Sequence, residues 1–584
     1  MKGIEIKDGK IYINGKREKI YSGSAHYFRI LPEQWEDRLI KMKEAGLNCV
    51  ETYICWNLHE KKEGEFDFGG NINVGKYLDL CKDLGLYAIV RPGPYMCSEW
   101  DFGGFPWWLN KYPMNIRSMD KRYLDKLTPY LKKVCEIIKP REIGNGGNVI
   151  AVQIENEYGS YGNDKNYLNY LKEFYLEQGI SSMLITSDGD TDFTIENGTL
   201  KDVADSVNYR SDTKKALSAL EKYHGGYAPM IMELWNGRAV RWGEKPITRD
   251  PEIVKRSVET AVKDAELTNI YMFTGGTNFG FMNGAHEDEH GKYVPLSTSY
   301  DVEAPISEYG KKTPKYYYEQ EAICRERNIP VVNERKDEEF MDYGKAEFIG
   351  ATELFKHEEL IKRVNSNSVL SMEECEQGYG YIAYKTIAFV SEKGGDLVLE
   401  DFRDVAHVYF DGKYIATAYY DKKNTTHIPF PEVGKYVEIT VVTENLGRVN
   451  LGRYIGGKRG VTSDFAVWDK SYNVLSTVFG YEMLSVPMEK LPETYEESIE
   501  ENKQGFYKFV FNAEQVKSAV LTLKGFTRGV AYINGFNLGR HWDIENSENK
   551  LYVPYPLVKK GKNEIVVFDV LTKKDEKTVE LKAE

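Results

Sequence analysis

No apolar leader opens this chain, and no run in it is long and apolar enough to cross a membrane. The first residues, MKGIEIKDGKIYINGKREK, are polar, so a cytoplasmic location and no membrane partner are expected. Cysteine is scarce. Seven thiols (Cys49, Cys55, Cys81, Cys97, Cys135, Cys324 and Cys375) are scattered over 584 residues, with no CxxC pair and no Cys–His spacing of a zinc site. That argues against a disulfide framework and for reduced thiols, with no metal or other cofactor expected. Positive charge is in deficit: the formal net charge is −13, which excludes the overall basic character of a nucleic-acid binder and leaves only a local basic patch open. Also missing is the Gly-rich phosphate turn that a dinucleotide-binding sheet carries after its first strand.

What is present is length and aromatic surface. The chain is too long for one core. Aromatics make up 13% of it, with 42 Tyr and 9 Trp. Rings of this kind fill cores, but they also pack against sugar C–H faces, so the composition suits a protein handling neutral small molecules.

Eight short apolar runs punctuate the first 330 residues: 19–25, 47–54, 87–93, 149–157, 182–189, 206–212, 230–237 and 269–276. Each ends in polar residues or Gly, as buried parallel strands do. Helical patterns such as PEQWEDRLIKMKEAG and DPEIVKRSVETAVKDAE lie between them. Strands alternating with helices over this length predict a (β/α)8 TIM barrel over residues 1–330, with a doubly wound sheet as the alternative. Beyond 330 the pattern alternates with period two, and Asp411-Gly412 and Asn534-Gly535 signal hairpins. Two all-β sandwiches are predicted, over 331–490 and 491–584. The acidic stretch 490–504 between them reads as a linker, or else as a solvated helix.

Barrel chemistry sits at the C-terminal ends of the strands. The fourth run ends Glu155-Asn156-Glu157 and the seventh ends Glu233-Leu234-Trp235. Carboxylates there are costly unless paired or used. In an extended strand Glu155 and Glu157 would share a face. Strands four and seven lie across the barrel mouth, so their carboxylates could flank one sugar. One would protonate the leaving oxygen and the other attack the anomeric carbon. A buried ion-pair network is the structural alternative.

The segments SGSAHYFR (22–29), ETYICWNLHE (51–60), RPGPYMCSEW (91–100), QIENEYGSYG (153–162), YMFTGGTNFGFMNGA (271–285), TSYDVEAPISEYG (298–310) and GFTRGVAYINGFNLGRHW (525–542) carry a resemblance over nearly the whole chain. It resembles glycoside hydrolase family 35, and within it the bacterial, three-domain β-galactosidases. The resemblance implies jelly-roll or galactose-binding-like sandwiches, a galactoside substrate and exo-acting, retaining hydrolysis, and it leaves a homodimer open. It implies Glu157 as acid/base, Glu233 as nucleophile and Asn156 as partner of the sugar 2-hydroxyl. Tyr53, Cys97, Ser98, Glu99, Tyr271 and Tyr300 match positions that line the galactose site, Tyr271 also as an orienter of the nucleophile, and Trp235 belongs to the same ring of aromatics. Cys97 reads equally as a packed small side chain, and His26, Arg29 and His59 read as braces. The run Ala285–His290 looks metal-binding at first sight but reads as a solvated loop. A relative acting on another sugar, such as an exo-β-glucosaminidase, would need an acid near the 2-position, where Asn156 stands. A non-catalytic barrel would have lost one of the two glutamates.

The chain departs from the family pattern at two places. Arg238 stands where a Trp is usual, and Leu451 where a Tyr is usual. Both changes fall where the leaving sugar is expected. Arg238 would recognise an acidic or extended aglycone, with Lys458 and Arg459 adding charge, or it would merely pair with Glu244.

Overall fold

The computed structural model describes residues 3–223, 228–245, 247–288, 290–421, 424–496 and 498–584. All eight apolar runs become strands of one closed parallel barrel: β1 (Ile20–Ser24), β2 (Cys49–Tyr53), β3 (Tyr87–Arg91), β4 (Val149–Gln153), β5 (Met183–Gly189), β6 (Ala204–Tyr209), β7 (Met230–Trp235) and β8 (Leu267–Tyr271). Their near-continuous apolar character follows from burial on both faces, by the barrel interior and by the outer helices. The helices start where capping chemistry allows. Asp120, Asp164 and Asp250 each accept a backbone N–H of a first turn, and Pro251 occupies the first position of Pro251–Asp264.

After β8 the chain makes a small hairpin, β9 (Ala285–Glu287) with β10 (Tyr293–Pro295). Two β-sandwiches follow. The first stacks a six-stranded sheet on a four-stranded one, with Ile382, Val408 and Ile439 of the larger sheet packed with Leu397 and Val467 of the smaller. The second pairs a five-stranded and a four-stranded sheet around Phe509, Leu521, Ile565 and Val579. Asp411-Gly412 and Asn534-Gly535 have positive φ at both residues, the left-handed pair that a tight two-residue hairpin turn requires.

The boundary at 331–490 needs correction. Strand Glu347–Glu353 pairs with Gly505–Ala513, and Gly344–Lys345 pairs with Thr578–Lys582, so both belong to the second sandwich. The chain crosses to the distal unit, returns to build the first sandwich between Lys362 and Val486, and then completes the distal one. The stretch read as a linker supplies part of that packing: Glu496 bridges Ala351, and Tyr495 packs beside Val530 and Phe568.

The first sandwich is clamped to the barrel beside its mouth. Arg448 is fully buried between Asp101 and Glu373, at 3.3 and 2.6 Å. Its own backbone N–H also donates to Asp101. Tyr95 donates to the Asn450 carbonyl at 2.6 Å. Strand β11 (Val449–Leu451) extends the β9–β10 hairpin, which brings Leu451 opposite His286.

Candidate active site

Strand β4 stops at Gln153, and the next four residues turn. Glu155 and Glu157 both take left-handed backbone angles, φ 57° and 46°. Each such residue costs roughly 1–2 kcal/mol, so neighbouring contacts must hold the turn. The turn also separates two side chains that an extended strand would keep together. Glu155 is buried beside the barrel. It accepts from Arg117 through both oxygens (3.0 and 2.8 Å), from Tyr167 (3.0 Å) and from the Asn156 backbone (2.7 Å). Glu157 turns the other way, into the cavity. The shared face expected from strand geometry is therefore not found, because the strand has already ended.

Glu233 lies in β7 at a register shift against both neighbouring strands. A bulge of this kind re-aims a side chain. Its Oε1 accepts from Arg91 at 2.6 Å and from Tyr53 at 3.1 Å, and its Oε2 accepts from the Trp235 indole at 2.7 Å. Arg91 is itself fully buried, stacked 4.0 Å over the Tyr53 ring, with Glu51 on its other side at 3.6 Å. Burial pushes the Glu51 carboxyl up to about 7, and Arg91 opposes that rise.

Glu157 has a poorer set of partners. One amide donor, Asn208 on β6, reaches its Oε1 at 3.1 Å. Burial, and next the negative charge of Glu233, push its carboxyl up to about 7, against the opposing effects of Asn208 and Arg91. Two glutamates thus face one cavity, one held by a guanidinium and one whose carboxyl is pushed up toward neutral pH. Between them Asn156 has its carboxamide oxygen fixed by Arg91 (2.6 Å) and Gln153 (3.2 Å), which turns its NH2 end to the cavity.

The wall opposite comes from Cys97, Ser98 and Glu99, three successive residues with φ between 50° and 54°. Arg29 anchors this strained turn. It donates to the Ser98 hydroxyl (2.8 Å) and carbonyl, bonds His26, and stacks 3.7 Å from the Tyr300 ring. Tyr300 donates to Glu99 at 2.5 Å, and His286 faces Glu99 at 3.7 Å. Burial raises the Glu99 carboxyl, but His286, Tyr300 and Arg29 outweigh it and hold the group below the usual carboxylate value. Burial pushes the Cys97 thiol up to about 12, so it is neutral, and it accepts from Asn450 of the first sandwich at 3.4 Å.

The cavity enclosed by these groups measures about 480 Å³, within the usual range for small-molecule sites. Cys97, Ser98, Glu99, Asn156, Glu157, Glu233, Trp235, Arg238, Tyr271 and Tyr300 all line it. Tyr53 does not. It lies fully buried behind Glu233 and acts through that carboxylate. Tyr271 bonds Ser98 (3.1 Å) and Tyr300 (3.2 Å), so Tyr53 is the tyrosine bonded to Glu233. His26 and His59 are braces, bonded to Arg29 and Tyr27.

Other expectations change. The run 285–290 is no free loop: Ala285–Glu287 is a strand that sets His286 into the cavity wall, while Glu289 lies outside the described residues. Among the described residues no cluster of three metal-ligating side chains occurs. Arg238 lines the cavity and also pairs with Glu244 through both oxygens, at 2.6 and 2.7 Å. Lys458 is bound to Glu374, and Arg459 is buried against the Gly447 carbonyl and Asp404, so neither adds charge at the mouth. The sequence reading missed Arg91, Asn208, Arg210 and Arg241, and put His286 in a solvated loop. Arg91 had a visible signal, a cation closing the apolar run YAIVR; the other three carried none.

A family model for glycosyl hydrolases family 35 matches residues 10–325. Models for the first all-beta domain and the galactose-binding domain of beta-galactosidase match 369–479 and 504–563. The chain is similar to Beta-galactosidase 17 of Arabidopsis thaliana, 33% identical over 613 residues covering 97% of this chain and 87% of that one. It is similar to the Beta-galactosidase of Xanthomonas manihotis, 33% identical, with 92% and 88% covered. It is also similar to human Beta-galactosidase-1-like protein 3, 33% identical, with 95% and 85% covered. A plant, a bacterial and a human relative at equal identity do not single out the bacterial type.

Proposed function

The chain belongs to glycosyl hydrolases family 35 and is a glycosidase acting on β-galactosides, and from that premise we propose that it removes terminal β-galactosyl residues with retention of configuration. Glu233 is the nucleophile and Glu157 the acid/base. The observation that carries this assignment is the contrast in partners: a guanidinium on Glu233, and one neutral amide on Glu157.

Glu233 attacks the anomeric carbon as Glu157 gives its proton to the glycosidic oxygen. The C–O bond breaks, the aglycone leaves as an alcohol, and galactose remains as an ester of Glu233. Glu157, now ionised, takes a proton from water. That water attacks the same carbon, releases galactose and restores both carboxyls. Arg91 and Tyr53 hold the Glu233 carboxylate and aim it. The Asn156 amide donates to the 2-hydroxyl, and Glu99 accepts from hydroxyls at the far side of the ring. Exo-action is supported by the wall that the Cys97–Glu99 turn, His286 and Leu451 build around the cavity. A cytoplasmic location is part of the proposal, supported by seven buried free thiols.

The test is the first-formed anomer, followed by proton NMR during hydrolysis of a nitrophenyl β-galactoside. β-Galactose first, relaxing later to the mixture, is expected. α-Galactose first would mean inversion and overturn the roles.

A further inference from the structure

We propose that the leaving-group side of the cavity is an anion site, so that the preferred substrates carry a carboxylate or sulfate on the sugar next to the galactose. The inference rests on the hydrolytic reading above and names the substrate class for that same site.

The charges in the cavity wall are sorted. The inner wall holds three carboxylates, Glu99, Glu157 and Glu233. The outer wall holds three guanidiniums, Arg210, Arg238 and Arg241, on a chain with net charge −13. They are not equivalent. Arg238 is neutralised by its two-point pair with Glu244. Arg241 forms no ion pair among the described residues, and its one polar side-chain contact is the His286 Nδ1 at 3.4 Å. Arg210 is exposed to the cavity and forms no hydrogen bond or ion pair among the described residues. One charged neighbour of Arg210 is another cation, Arg249, whose guanidinium is held on the Trp235 carbonyl and is pushed down first by burial and then by Arg210, against Glu303.

Position decides which part of the substrate these cations meet. The acid must touch the glycosidic oxygen, so the aglycone lies on the Glu157 side. Arg210 stands two residues beyond Asn208, the residue bonded to Glu157. Ser160, Gly189 and Thr194 line the same cavity on that side: Ser160 from the short helix after β4, Gly189 from the end of β5 and Thr194 from the short helix after it. A substituent just past the scissile oxygen therefore meets Arg210, with Arg241 and its His286 contact across the mouth. A guanidinium offers paired donors that fit carboxylate or sulfate oxygens, and such a charge-assisted contact is worth about ten-fold or more in a half-enclosed site.

The experiment compares kcat/KM for two disaccharides with one linkage, β-galactosyl-glucuronate and β-galactosyl-glucose, in wild type, Arg210→Gln, Arg210→Lys and Arg210→Gln/Arg241→Gln. Wild type should prefer the acidic substrate by about ten-fold or more at low salt, and the preference should shrink as salt rises. It should fall in Arg210→Gln, collapse in the double variant and survive in Arg210→Lys. Equal rates on both substrates in wild type, or an undiminished preference in the double variant, would overturn the proposal. Nitrophenyl β-galactoside separates the two levels: if wild type fails to cleave it, the hydrolytic reading falls; if it is cleaved without an acidic preference, only the anion site falls.

Discussion

At the end of β7, Glu233 meets the Arg91 guanidinium at 2.6 Å and gains two further donors from Tyr53 and Trp235. At the end of β4, Glu157 meets a single amide at 3.1 Å and the negative charge of its counterpart. The two turns belong to one barrel and carry the same residue type. What differs is the donor set that other strands of the barrel supply: β2 and β3 face Glu233, and β6 faces Glu157. A third carboxylate sharpens the lesson. Glu155, two positions from Glu157, has a bidentate Arg117 and a tyrosine but lies outside the cavity. Full pairing away from the cavity leaves a structural carboxylate; in the proposed roles, full pairing facing the cavity suits the nucleophile and sparse pairing facing it suits the acid.

Substitutions test that contrast from the largest effect downward. Glu233→Gln should lower kcat on every galactoside by more than the ~10²–10⁴-fold that general acid–base catalysis supplies. Glu157→Gln should lose about 10²–10⁴-fold on galactosyl disaccharides and far less on a dinitrophenyl galactoside, whose leaving group needs no proton. Equal losses on both substrates, measured as kcat/KM, would undo the acid assignment. Arg117→Ala should cost about 3–5 kcal/mol of stability by stranding buried Glu155, read as a lower denaturation midpoint, while the ratio of rates on the two substrate types stays at the wild-type value.

The remaining predictions concern pH. Glu157 must be protonated for the first step, so kcat/KM should fall as pH rises through about 7. The sign for stability follows from the same shift. The folded carboxyl is raised above its ordinary value of 4.5, so folding favours the protonated form, and that contribution is lost as pH climbs from 4.5 through about 7. Glu157→Gln removes the penalty and should gain at most roughly 3 kcal/mol over wild type across that window, seen as a melting difference that grows with pH. The smallest effect belongs to Asn208→Ala. Its amide favours the ionised form of Glu157, so losing it should move the alkaline limb to higher pH; a move to lower pH would contradict the electrostatic picture.

The barrel was legible because each strand is buried on both faces, leaving eight short apolar runs. Glu157 and Glu233 were legible as charges ending such runs. The crossing of residues 344–353 to the distal sandwich was not, because strand alternation carries no information on which sheet a strand joins. His286 was misread for a related reason: its strand is paired from the first sandwich, about 160 positions away in the chain, through Val449 and Leu451. Leu451 was read for its lost aromatic, whereas Arg448 and Asn450 just before it hold the Cys97–Asp101 segment in place. Arg210 had no pattern around it; only the closed barrel brings it into the cavity that Glu157 lines.

The most direct measurement of the contrast between the two glutamates is covalent capture. Wild-type protein is incubated with an activated galactosyl fluoride bearing fluorine in place of the 2-hydroxyl, digested and sequenced by mass spectrometry. A galactosyl adduct on Glu233 alone is the expected result. An adduct on Glu157, or inactivation without any adduct on the β7 peptide, would contradict it.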